Sequence, residues 1–274
     1  MTHPPELISA AVATRILPGC ARMRDCCGGV QKAFTCVRSF LAYCRIENLR
    51  SRVRTDGIRR QMTDTGTQAG GRSIEAAQTL AARLLDRLPE RLSHSAAVAA
   101  RAEAISSGVP DDDKELLVAA AWLHDIGYAE PIAVTGFHPL DGGLYLRAVG
   151  WPERLCGLVA HHSGARFAAK VRGLADRLEQ FPFERCAVSD ALTFADQTVG
   201  PGGQRMTIDE RLADVIERHG PDSPNARANP LREPYIRGAA KRAIARMPRV
   251  KATALEGLIT NETGANSSIL VDHS

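Results

Sequence analysis

The chain has 274 residues, a formal net charge of +4 and 44% hydrophobic residues, enough for a sizeable core. Aromatics make up only 5%, while alanine and leucine abound, which favours helices over sheet. No apolar run approaches the roughly 20 residues a bilayer needs, and Arg15 and Pro18 interrupt the only apolar stretch near the N-terminus. A soluble, cytoplasmic protein with no membrane partner is therefore expected.

Residues 1–72 differ from the rest. They hold 12 Lys/Arg and 5 Asp/Glu, leaving 23 and 26 for the remainder, which is mildly acidic. The basic pI is thus no argument for nucleic acid as a partner. Five of the seven cysteines (Cys20, Cys26, Cys27, Cys36, Cys44) lie here without C-x-x-C spacing, so neither a zinc knuckle nor a disulfide framework is indicated. This region is expected to be a disordered, basic extension ending in a Gly/Thr-rich linker, with Met62 a candidate start.

From Ser73 the pattern turns helical. Ile74, Ala77, Leu80, Ala81, Leu84, Leu85 and Leu88 recur at three- and four-residue steps. A second helix is expected near Ser93, carrying His94, Val98 and Arg101 on one face. A third runs from about Lys114 to Asp125, with Gly127 as its stop. His138-Pro139 opens a fourth and Trp151-Pro152-Glu153 a fifth. Further helices are expected over about 168–180 and from about Glu184, the latter carrying Asp190 and Asp196. After the Gly200 to Gly203 loop, Ile208 to Arg218 is helical. Pro221 to Pro230 should break the chain before a last helix from Arg232 to Arg246. No strand series appears, so the fold class is all-α. The domain is expected over 73–248 and a flexible tail over 249–274.

Five of the eight histidines, His94, His124, His138, His161 and His162, fall within this region beside Asp125 and Asp196. Imidazole and carboxylate can offer lone pairs to one divalent cation. Two imidazoles and two carboxylates leave a neutral shell around a 2+ ion, with open positions for water and a phosphate oxygen. Asp125 at the negative end of a helix is poorly placed unless a cation is near. His138 before Pro139 reads equally as an N-cap, and Asp190 competes with Asp196.

The order His94, His124-Asp125, Asp196 resembles the H…HD…D pattern of the HD-domain metal-dependent phosphohydrolases. Leu123-His124-Asp125-Ile126-Gly127 is close to a run found in many members. The resemblance covers roughly residues 74–200 and implies an HD-domain helical bundle. It implies that His94, His124, Asp125 and Asp196 ligate one divalent metal, for which Mn, Fe, Co, Ni, Mg and Zn all qualify. His138, with His161 and His162, matches the extra histidines of binuclear members, in which the aspartate of the pair bridges two metals; only one of His161 and His162 need ligate. His124 and Asp125 would then stand at the catalytic centre of a phosphohydrolase. Its substrate would be a phosphomonoester or phosphodiester of a nucleotide or other small metabolite, cleaved by metal-bound hydroxide. The rival expectation is a non-catalytic sensor module that keeps the fold and binds metal or nucleotide.

A phosphorylated substrate also needs cations from the protein. Arg166, just after His161-His162-Ser163-Gly164, is the first candidate and Arg101 the second; Arg205 reads better as a surface residue. Tyr128 replaces the lysine that commonly follows the run in this family. The residues after His162 do not match cyclic-di-GMP phosphodiesterases, and Ile126-Gly127-Tyr128-Ala129 does not match guanosine-tetraphosphate hydrolases.

Overall fold

The computed structural model describes residues 73–259. The expected extension over 1–72, including Met62, and the tail beyond 259 lie outside the described residues. Among those described, the secondary structure is helical, and the one β pairing is an isolated bridge between Val199 and Arg205. The fold is all-α, and no described helix is long and apolar enough to cross a membrane.

Helix α1 (Ile74–Leu84) starts at Ser73, whose Oγ accepts from the Ala76 amide, a cap worth about 1 kcal/mol. Helix α2 (Pro89–Ala104) begins four residues before the expected Ser93. Proline at a first turn loses nothing, because that amide has no partner within the helix. Ser93 instead sits inside α2 and donates to the Gly202 carbonyl at 3.0 Å. The earlier start puts Arg91 on the helix, one turn before His94.

Helix α3 (Lys114–Leu123) is buried at Leu117 through Ala121 and again at Leu123. A helix apolar on all sides must be surrounded. Its neighbours are α1, α2, α5 (Glu153–His161) and α8 (Ala187–Gln197). Ala119 and Leu123 join one apolar cluster, with Leu80, Leu140 and Leu155. Leu117, Val118 and Ala121 join the other, with Val98, Leu192 and Ile236. Each leucine fully buried there contributes about 1.5–3 kcal/mol.

A short 3-10 turn (Ile126–Tyr128) follows, then α4 (His138–Ala148). Gly127 does not end α3 by a left-handed turn, since its φ is not positive. It is needed because the turn presses against the head of α4. A Cβ at Gly127 would lie 2.0 Å from the His138 carbonyl oxygen and 2.7 Å from the Gly142 nitrogen. Absence of a side chain therefore sets His138 beside Asp125.

The helix expected over 168–180 is two pieces, α6 (Ala165–Val171) and α7 (Ala175–Leu178), split where Gly173 turns at φ 68°. Helix α9 (Ile208–His219) opens with a reciprocal Thr207–Glu210 cap. Helix α10 (Pro224–Ala245) overturns the expected break, because it runs through Pro230 and Pro234. Each interior proline costs about 3 kcal/mol. Packing of α10 against α6, α8 and α9 offsets that. The expected loose tail does not begin at 249 either. Helix α11 (Arg249–Glu256) forms, Leu258 is 4% exposed, and its carbonyl accepts from the Ile208 amide.

Candidate metal centre

The helices bring two donor groups to one point. His94 from α2 joins His124 and Asp125 from the end of α3, with ligand atoms within 4.8 Å of one another; Asp125, His138 and His162 form a second such group. Asp125 belongs to both. Its Oδ1 lies 3.3 Å from His138 Nε2 and 3.5 Å from His124 Nε2. Asp196, in the last turn of α8, completes the first group, with Oδ1 3.1 Å from His94 Nε2 and 3.6 Å from His124 Nε2.

Backbone carbonyls orient the imidazoles. His94 Nδ1 lies 2.9 Å from the Gly200 oxygen, His124 Nδ1 2.8 Å from Ala121, and His162 Nδ1 2.7 Å from Val159. A carbonyl can only accept, so each Nδ1 carries the hydrogen and each Nε2 turns inward. His124 Nε2 is buried with no hydrogen-bond partner. As a neutral ring it points a lone pair at two carboxylates, an arrangement that calls for either a proton on that nitrogen or a metal ion between them. The donor set therefore fits a divalent metal.

The Asp196 carboxylate is also held in place. Its Oδ2 accepts from Ser163 Oγ and, at 2.8 Å, from Gln197 Nε2, which leaves Oδ1 to the histidines. Ser163 adopts φ 49°, a left-handed conformation that costs a non-glycine residue about 1–2 kcal/mol. The turn of Ser163 and Gly164 carries the chain from His162 into α6.

Charge state follows from the packing. Burial opposes a proton on His124, but Asp125 and Asp196 outweigh it and lift the ring to about 9. Burial would raise Asp125, yet His124, His138, His94 and Arg91 hold it far below the usual carboxylate range. Asp196 is held well below that range by His124 and His94, again against burial. Burial pushes His138 and His162 below the usual imidazole range. Both carboxylates are thus ionised and both outer histidines neutral, as ligation requires; the His124 proton is the one a metal must displace.

A family model described as HD domain matches residues 91–233, more than half of the chain. The chain belongs to the HD domain family. This is the domain of the metal-dependent phosphohydrolase superfamily. No curated protein and no solved structure matches the chain.

Within the HD domain, His162 faces the centre and His161 does not. Successive residues at a helix end point about 100° apart, so both cannot. His161 Nε2 lies 3.1 Å from the Phe181 oxygen and its ring packs edge-on against Phe183. His161 is therefore withdrawn from the ligand set. Asp190 stays outside as well. It is 1% exposed and clamped by Arg242 and Arg246, fastening α8 to α10.

The cleft over the centre encloses about 560 Å³, including its open mouth. Neither arginine expected to meet substrate lines it. Arg166 is exposed, with its guanidinium 4.6 Å from the Phe183 ring and 4.8 Å from Phe167. Arg101 is seven residues past His94, about 10 Å farther along the axis, and its charge is felt by Arg205 instead. Arg205 itself donates to the Ala254 carbonyl. The cations that do line the cleft are Arg91, Arg211, Arg218 and Arg232. Two signals could have found three of them. Arg91 lies one turn before His94, and Arg211, Val215 and Arg218 recur at helical spacing along one face of α9.

Tyr128, in place of the family's lysine, has a structural task. His138 stacks on its ring at 4.0 Å, and the Arg91 guanidinium lies 4.1 Å from the ring centre. Two groups of that size cannot share one face, so the ring is held between them. Arg91 also donates to Asp125 Oδ2 at 3.3 Å.

Proposed function

We propose that this HD domain is a metal-dependent phosphohydrolase acting on a phosphomonoester or phosphodiester of a nucleotide or other small metabolite. The observation that carries this reading is the pair of donor groups, His94-His124-Asp125 and Asp125-His138-His162, that share the Asp125 carboxylate. His94, His124, Asp125 and Asp196 would hold one ion, and Asp125, His138 and His162 a second. A bound divalent ion would lower the pKa of a water and offset charge gathering on the phosphoryl oxygens. The protein's part is positioning. Backbone carbonyls lock His94, His124 and His162, Ser163 and Gln197 hold Asp196, and Arg91 donates to Asp125. Arg211 and Arg232 line the cleft beside Asp196 and would orient the substrate anion. Retention of every ligand favours catalysis over a silent sensor.

The test is a panel of phosphomonoesters and phosphodiesters offered to chelator-stripped protein with Mn²⁺, Co²⁺, Ni²⁺, Fe²⁺, Mg²⁺ or Zn²⁺ restored. Hydrolysis should require the metal. His124→Ala and Asp125→Ala should each lower turnover by at least about a hundredfold, with helix content by circular dichroism nearly unchanged. Near-normal turnover in either variant would sink the mechanism.

A further inference from the structure

Three guanidiniums on α9 and α10 are left over by the metal centre. Arg211 is 6% exposed, and its Nε is buried without an acceptor. Its terminal nitrogens lie 3.0 Å from Asp214 Oδ2 and 3.9 Å from Asp196 Oδ1. Arg232 enters from α10. It donates to the Ser163 carbonyl at 2.9 Å and to Gln197 Oε1 at 3.5 Å, both neutral acceptors. Among the described residues it makes no ion pair. Burial pushes its pKa down; Asp196 opposes this, and the nearby Arg211 adds to it. A buried cation with an unfilled donor, and a half-buried one near enough to feel its charge, are costly together and suited to a cleft that receives an anion.

Arg218 extends the series. It follows Arg211 by two turns on α9, lines the same cleft, and donates from Nε to Asp214 Oδ1 at 2.8 Å. Asp196, Arg211, Asp214 and Arg218 thus alternate in sign from the metal centre outward. Four guanidiniums line the cleft against two carboxylates, Asp125 and Asp196, with Asp214 behind them. A divalent cation would take up the charge of Asp125 and Asp196. The positive charge then left exceeds what one phosphate dianion can neutralise.

We propose that the substrate carries a second phosphate group, distinct from the one cleaved, and that Arg211, Arg232 and Arg218 hold it. The inference rests on the metal-centre reading for the cleaved phosphate. It names the substrate class as a bisphosphate of a nucleoside or sugar, with the spared phosphate on the wall formed by α9 and α10. Guanidinium groups suit this task because their fork of donors matches phosphate oxygens.

The test compares matched probes by calorimetry on the full chain loaded with Mn²⁺. One pair is adenosine 5′-monophosphate and adenosine 3′,5′-bisphosphate; the other, without a base, is fructose 6-phosphate and fructose 1,6-bisphosphate. In at least one pair the bisphosphate should bind tenfold or more tightly. Arg232→Met and Arg218→Met should each cut that ratio at least fivefold, with Mn²⁺ content unchanged. The Arg218 side chain is partly exposed, so its variant probes the wall even where Arg232→Met folds poorly. Equal affinities in both pairs, or a ratio untouched by Arg218→Met, would overturn the proposal. Elemental analysis separates the two ideas. A bisphosphate preference in protein that binds no metal leaves the anion wall standing and removes the hydrolase, whereas full metal loading without a preference does the reverse.

Discussion

Asp125 is the residue on which both donor groups depend, because its carboxylate alone belongs to each. His138 belongs only to the outer group, so its loss should be selective. Protein purified without chelator should approach two metals per chain by elemental analysis, and His138→Ala should bring it towards one. His161→Ala should leave the count at two, since that ring is turned to Phe181. A count of one that ignores His138→Ala would return His138 and His162 to a structural or substrate role. The adjacent His161 and His162 show the limit of pattern reading at this scale. Their order announces that one faces the centre, but which one depends on how α5 ends. At Asp196 and Asp190 the same limit applies. Both are buried carboxylates on α8, and only the packing of α10 reveals that Asp190 is spoken for by Arg242 and Arg246.

At the scale of elements, the contact of the Ile126–Tyr128 turn with the head of α4 decides whether the two groups share a carboxylate. Gly127→Ala would drive a methyl into the His138 carbonyl. Such overpacking costs about 1–3 kcal/mol or more when backbone must move. The expected outcome is a thermal midpoint lower by several degrees and a metal count that falls below that of the wild type. An unchanged midpoint and count would show that α4 can retreat without cost. Helix α3 was legible because its apolar run has no polar face. The start of α2 was misread because Ser93 is the better cap by residue type, while Pro89 needs only a place at the first turn. Helix α10 was legible only from Arg232, and its start at Pro224 was hidden for a different reason. Two interior prolines forbid it locally, and only contacts with α6, α8 and α9, far away in sequence, restore it.

Across the whole molecule, the histidines and carboxylates of the centre were legible because spacing along single helices exposes them. The arginine wall was not, because Arg211, Arg218 and Arg232 meet the centre only after α9 and α10 fold back on α8. All the side chains that would meet metal or substrate anion fall between Arg91 and Arg232. A chain beginning at Met62 should therefore match the full chain in metal count, thermal midpoint and specific activity. A tenfold loss of activity at equal metal loading would show that residues 1–61 shape the site.

Among the described helices, α3, α5 and α8 end at the centre by their carboxyl termini, delivering His124, His162 and Asp196, while α4 brings its amino terminus there and α6 and α10 open on the cleft at Ala165 and Asn225. Each helix end carries about half an elementary charge from its aligned peptide dipoles. Where the three carboxyl ends converge, their partial charges favour a cation before any side chain is counted, while the amino ends lie toward the cleft. That convergence draws in a cation and repels a phosphate, so the two ligands should bind as partners: metal first, anion second. Inorganic phosphate should bind the metal-stripped chain at least about fivefold more weakly than the loaded one, and phosphate should tighten Mn²⁺ by the same factor, as linkage demands. Equal phosphate affinity in the two forms would mean that the arginines already cancel the field of the helix ends.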